Sequence, residues 1–319
     1  MRKINLILLG LAFVFLVWML HEVGWSTIWQ HLLRVGWWWP VLLLPYGLVN
    51  LLEAVSWDYL LLTPVHRPSL ALLFRLRLGG EALNSLTPTA GLGGEPFKAA
   101  RLSASGVPWE DATASVVIQK GIKVLSLVLY IFLGLALAPF LMAGTTSLLW
   151  PLLLGTLFLG GSALAFVFVQ GRSPCGQGIR LLERLGLCPA RLKEKEEDLK
   201  SLDAQMATFY REHPGRGLLS FTLFFLAWLM HGLEVYLMFW LLGHPISLAL
   251  ALCLDALAMI FTALGFLIPG ALGVQDGGNV LLALGFHLGA TLGAAFSILR
   301  RLREAFWMGL GLLLAVREK

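Results

Sequence analysis

The 319-residue chain is 58% hydrophobic and only 13% charged, with a mean hydropathy of +0.78; this excludes a soluble globular domain and describes a protein that crosses a membrane several times. The net charge of +5 is modest and its basic residues fall where cytoplasmic loops are expected, so nucleic acid is not implied as a partner. Cys175, Cys188 and Cys253 have neither CxxC nor metal-ligand spacing, which gives no basis for a disulfide framework or a zinc site.

Apolar runs of about 20 residues without period-2 alternation predict helices rather than a barrel, and hence an all-α polytopic membrane protein. The start, Met1-Arg2-Lys3 followed by an apolar stretch over 4–20, resembles a signal peptide, but Trp18-Met19-Leu20-His21 lacks the small residues of a cleavage site. An uncleaved first helix is therefore expected, beginning in the cytoplasm. Residues 21–36 set Trp25, Ile28, Trp29, Leu32 and Leu33 against His21, Glu22, Gln30 and Arg34, the pattern of an amphipathic helix lying in the interface. Trp37, Trp38 and Trp39 extend that aromatic belt into a span over 40–62. Its Glu53 and Asp58 either face the protein interior or sit near the helix end and reach water, and the second placement is preferred.

His66, Arg67, Arg75 and Arg77 then mark the cytoplasmic side. A segment over 70–86 re-enters, a Gly/Pro-rich break follows, and 95–105 returns as a short helix. Glu110 and Asp111 suit the positive N-terminal end of a long helix from Trp109 to about residue 139. Another span covers 147–169. The polar segment 171–217 carries nine Lys or Arg and seven Asp or Glu, and its run from Arg191 to Glu212 reads as a short solvated helix. Residues 218–242 cross again, 248–268 lead to a second break, 277–286 form a short helix, and 289–316 form the last long one.

The two breaks share a layout. Pro88 is followed seven residues later by Glu95, and Pro269 seven residues later by Asp276; 32 residues beyond each proline stand Lys120 and Arg301. His244-Pro245-Ile246-Ser247-Leu248-Ala249-Leu250 also echoes Arg67-Pro68-Ser69-Leu70-Ala71-Leu72. The chain thus divides into 1–36, a first helix and an interfacial helix; 37–142, a first membrane repeat; 143–217, a linking helix and polar loop; and 218–319, a second repeat. Parity makes the copies opposite in orientation, an inverted-topology repeat with two broken re-entrant pairs. Six to eight helices cross the membrane, and both termini are cytoplasmic.

Backbone broken at membrane depth by Pro88, Gly93, Gly94, Pro96, Pro269, Gly270 and Gly273 leaves amides unpaired, which is tolerable only against protein or a water-filled cavity. Lys120 and Arg301 lie near mid-bilayer, where an ion costs at least about 2.5–3.5 kcal/mol unless paired or hydrated. Two readings compete. In one, Glu95 pairs with Lys120 or Lys123 and Asp276 with Arg300 or Arg301, merely tying each break to its long helix. In the other, Lys120, Lys123, Arg300, Arg301 and Arg303 are partly free and receive an anionic head group, the three arginines outnumbering the acids near them, with Glu95 and Asp276 organising the broken tips. Lys98 and Arg101 are either part of this cluster or cytoplasmic snorkelling residues. No Ser/His/Asp grouping, phosphate loop or dinucleotide fingerprint is readable, so neither an enzyme nor a cofactor or metal is expected.

At Pro88 to Leu102, PTAGLGGEPFKAARL, and Ile268 to Asp276, IPGALGVQD, the sequence resembles the lysylphosphatidylglycerol synthase transmembrane-region family of flippase-like membrane proteins. Gly93-Gly94-Glu95-Pro96 looks most like its hopanoid-associated subgroup. The resemblance implies a bacterial inner-membrane protein that moves a lipid between leaflets, in the best-known members an aminoacylated phosphatidylglycerol, with lipid-biosynthetic enzymes as further partners. The chain ends at Lys319 without the aminoacyl-transfer domain of the full synthase, so lipid synthesis is not expected of it. The rival expectation is an accessory subunit that holds a lipid-modifying enzyme or its substrate.

Overall fold

The computed structural model describes residues 25–62, 67–87, 92–141, 149–170, 196–265 and 268–317. The helix expected over 4–20, the break residue Pro88, and Cys175 and Cys188 lie outside them. The described part is helical throughout, with α1 at Trp25–Val35, a 3-10 turn at Gly36–Leu42, α2 at Leu43–Asp58 and α3 at Leu70–Leu86. Then come α4 at Glu95–Ala104, α5 at Trp109–Leu141, α6 at Leu149–Gln170 and α7 at Glu196–Glu212. The second half holds α8 at Pro214–Leu241, α9 at Leu248–Leu264, a 3-10 turn at Pro269–Ala271, α10 at Val274–Gly285 and α11 at Ala290–Arg317.

Local chemistry explains several of these boundaries. In the echoed segments the serines are equivalent N-caps: Ser69 Oγ accepts from the Leu72 amide at 3.2 Å and Ser247 Oγ from the Leu250 amide at 3.1 Å. Pro96 occupies the first turn of α4, where a missing N–H leaves nothing unsatisfied. At the second break Gly270 and Gly273 take φ of +60° and +78°, and Ala271 between them is at +47°.

Three helical stretches are long and apolar enough to cross a bilayer on that criterion alone: Leu32–Asp58, Trp109–Leu141 and Pro214–Leu241. Leu153–Val169 and Leu248–Leu264 are apolar but shorter. Helix α3, with 17 residues, is too short for that criterion and α11 is too charged, but Arg77 of α3 and Arg300 and Arg303 of α11 are each only 3% exposed. The outer surface is apolar instead, with Phe158 79%, Leu154 64% and Leu313 63% exposed. An apolar outside around a charged inside fits a hydrocarbon solvent.

The two halves pack with exchange symmetry. Helix α3 makes its most extensive contact with α11 of the other half, and its counterpart α9 packs in the same way on α5; α2 packs on its own counterpart, α8. Small residues mark the matching crossings. A Cβ on Gly311 of α11 would stand 2.4 Å from the Leu78 carbonyl of α3, and one on Gly134 of α5 would stand 2.5 Å from the Ala256 Cβ of α9. The same exchange of partners therefore occurs at both crossings.

Helix α5 has 33 residues, about 50 Å at 1.5 Å per residue, more than the roughly 30 Å hydrocarbon core. Its N-terminal part carries α7. The segment read from sequence as solvated has one docked face: Leu202, Met206 and Phe209 are buried in a cluster with Trp57, Leu60 and Ala112.

Candidate functional site

A cavity of about 740 Å³ opens between the halves. The first repeat contributes Asn50 and Glu53 from α2, Arg77 and Glu81 from α3, and Lys123 from α5. The second contributes His231 from α8, the 3-10 turn of its break, and Arg300, Arg301, Arg303 and Glu304 from α11. Leu78, Leu86, Ile268, Leu272, Met259 and Met308 supply an apolar part of the wall. The charges come from elements far apart in sequence, so only the cross-packing of α3 on α11 and of α2 on α8 brings them to one place.

On the first-repeat side, Glu53 is the hub. Its Oε2 accepts from Arg77 Nε at 2.9 Å and from Lys123 Nζ at 3.0 Å, and Arg77 also donates to Asn50 Oδ1. Glu53 is 4% exposed. The preferred sequence placement near water is thus corrected for Glu53, because Arg77, read from sequence as cytoplasmic, turns inward from α3 to neutralise it. Asp58 does sit at the helix end, where Arg67 Nη2 reaches its Oδ2 at 2.9 Å in the open.

On the second-repeat side each arginine has its own carboxylate. Arg303 Nε donates to Glu234 Oε1 at 2.7 Å, Arg300 Nη2 to Asp255 Oδ1 at 2.9 Å, and Arg301 Nη2 to Asp276 Oδ2 at 2.9 Å. Tyr130 donates to the other Asp255 oxygen at 3.1 Å, and the Arg303 guanidinium lies 4.0 Å from the Tyr46 ring centroid. These arginines do outnumber the acids near them in sequence, but Glu234 and Asp255 arrive from α8 and α9, so each arginine has a carboxylate. Arginine–carboxylate pairing at such burial satisfies charges that would otherwise cost several kcal/mol each, to order of magnitude.

The break carboxylates tie down backbone. Asp276 Oδ2 accepts the Gly273 amide at 2.9 Å, its Oδ1 accepts Ser297 Oγ at 2.6 Å, and Arg301 Nη1 reaches the Gly270 carbonyl at 2.8 Å. At the first break Asn84 Oδ1 accepts the Gly94 amide at 2.7 Å while its Nδ2 donates to Glu95 Oε1 at 3.1 Å. Glu95 pairs with Lys98 at 2.5 Å and Lys120 at 3.6 Å, and Lys98 also donates to Gln119 at 3.1 Å. Lys98 thus belongs to the buried network, whereas Arg101 lies over the Phe97 ring at 5.9 Å. Gly94 is compulsory: a Cβ there would stand 1.9 Å from the Gly80 carbonyl oxygen, so α3 and the start of α4 touch backbone to backbone.

Of the residues singled out from sequence, Lys123, Arg300, Arg301, Arg303, Pro269 and Gly270 line the cavity. Glu95, Lys120, Asp276, Gly93, Gly94, Pro96 and Gly273 stand behind or beside it, holding the breaks. Sequence reasoning missed Asn50, Glu81, Glu234 and Asp255. The signal for Asp255 was present, since it is the sole charge in the 17 residues of α9, and an ionisable group at such a place marks a site until shown otherwise. Polar atoms also remain unmatched on residues of the wall: Asn50 Nδ2, His231 Nδ1, Arg300 Nε and Nη1, and Trp307 Nε1 are buried with no hydrogen-bond partner among the described residues. A buried donor left unpaired costs about 1–3 kcal/mol, which a ligand offering acceptors can recover.

A family sequence model described as the lysylphosphatidylglycerol synthase TM region matches residues 5–312. The chain belongs to this family. A UPF0104 membrane protein of Methanothermobacter thermautotrophicus is 26% identical over 246 residues, which cover 74% of this chain and 71% of that protein. No solved structure matches the chain. Membership of the lysylphosphatidylglycerol synthase TM-region family agrees with the apolar outer surface in making this an integral membrane protein.

Proposed function

We propose that the protein moves a polar-headed lipid between the leaflets of the bacterial inner membrane, with both its termini in the cytoplasm. The observation that carries this reading is the cavity shared by the two repeats, in which charged and unpaired polar groups lie beside apolar wall. A phosphate or comparable group engages the arginines of α11 while the hydrocarbon tail lies along Leu78, Leu86 and Met308. The paired breaks and the exchange symmetry support alternating access to the two leaflets. The lipid, phospholipid or hopanoid or polyprenyl, is the ligand, and the chain itself performs no chemistry on it.

The test is leaflet exchange in liposomes containing the purified protein, with labelled phospholipids, polyprenyl phosphate and hopanoids supplied in turn. Ala305 lines the cavity, is exposed and takes part in no ion pair itself, so Ala305→Trp fills the space while every charged side chain is kept. Exchange of one lipid class by the wild type, abolished by Ala305→Trp, is expected. A folded wild type that exchanges no class would overturn the transport reading in favour of an accessory subunit of a lipid-modifying enzyme.

A further inference from the structure

On the reading that a lipid head occupies the cavity, the charge pattern specifies that head more closely. Around the cavity the first repeat sets Arg77 and Lys123 against Glu53 and Glu81, and its break adds Lys98 and Lys120 against Glu95. The second repeat sets Arg300, Arg301 and Arg303 against Glu234, Asp255, Asp276 and Glu304. Among the described residues seven cations meet seven carboxylates. A head group with net negative charge would leave one charge uncompensated in a low-dielectric site, whereas a head group carrying both signs leaves none.

The loosely held groups indicate where each sign goes. Glu81 is the most open of these carboxylates, with its side chain 41% exposed, and its Lys123 neighbour stands 4.0 Å away, beyond hydrogen-bond reach. That lysine is already engaged by Glu53 at 3.0 Å. Glu81 therefore offers the cavity an acceptor and a negative charge. The unmatched groups elsewhere on the wall include four donors, Arg300 Nε and Nη1, Trp307 Nε1 and Asn50 Nδ2, beside His231 Nδ1. We infer that the cavity takes a zwitterionic glycerophospholipid head, its phosphate oxygens accepting from Arg300 and Trp307 and its single primary ammonium donating to Glu81.

The test is competitive lipid retention by the full chain in detergent, read by native mass spectrometry. The probes are phosphatidylethanolamine, phosphatidylglycerol and N-acetyl-phosphatidylethanolamine with identical acyl chains. The third keeps the phosphate and removes the ammonium. Phosphatidylethanolamine is expected to be retained at least about tenfold over both others, the effect of one charge-assisted hydrogen bond. Glu81→Gln removes that preference while lipid is still bound, and Glu81→Asp restores part of it. Equal or better retention of phosphatidylglycerol, or a preference unchanged in Glu81→Gln, overturns the inference. Preference without leaflet exchange would sink transport and leave the head-group assignment standing; exchange without preference would do the reverse.

Discussion

The Arg303–Glu234 pair gives the sharpest test of how this membrane interior is held. The two are 3% and 2% exposed and joined at 2.7 Å, with Tyr46 covering the guanidinium. Glu234→Gln keeps shape and volume but strands the Arg303 charge on α11 beside Arg300. Removing one partner of a buried pair costs about 3–5 kcal/mol, a large share of a total stability of about 5–15 kcal/mol. Replacing both partners in Glu234→Met/Arg303→Met removes the stranded charge and should recover at least about half of that loss. Reversible unfolding in mixed micelles, followed by tryptophan fluorescence and circular dichroism, measures both variants. A single variant within about 1 kcal/mol of wild type, or a double variant no more stable than the single one, would refute the reasoning.

Two further outcomes follow from the same structure. Gly94→Ala places a methyl against the Gly80 carbonyl and should cost more than about 2 kcal/mol, whereas at Gly80 the obstacle is the flexible Lys98 stem at 2.7 Å; thermal midpoints should therefore fall further for Gly94→Ala than for Gly80→Ala. Arg67→Ala removes an exposed ion pair with Asp58 and should change stability by less than about 1 kcal/mol in the same unfolding assay.

Helix type and extent were largely legible in the sequence, because apolar runs and their punctuation are local. The expected segment 70–86 coincides with α3, and the serines of the echoed turns cap the helices they precede. A pairing of Asp276 with Arg300 or Arg301 could be weighed in advance because the break and the long helix lie close in the chain. What stayed hidden was the partner of each charge that is matched between helices distant in the chain. Arg77 looks cytoplasmic beside Arg67 and Arg75, and only its contact with Glu53 shows that one of three neighbouring arginines faces inward. The surplus of cations inferred on α11 vanished for the same reason, since Glu234 lies 69 residues from Arg303 and Asp255 lies 45 from Arg300.

The pairing of α3 with α11 also sets a timetable for making the protein. Helix α3 leaves the ribosome about 200 residues before α11 begins. At roughly 5–20 residues per second, that interval exceeds ten seconds. During it α3 must wait in the membrane with its broadest face uncovered, so Arg77 depends on Glu53 from the preceding helix to stay neutralised until the last helix arrives. A chain truncated before α11 would leave that face permanently open.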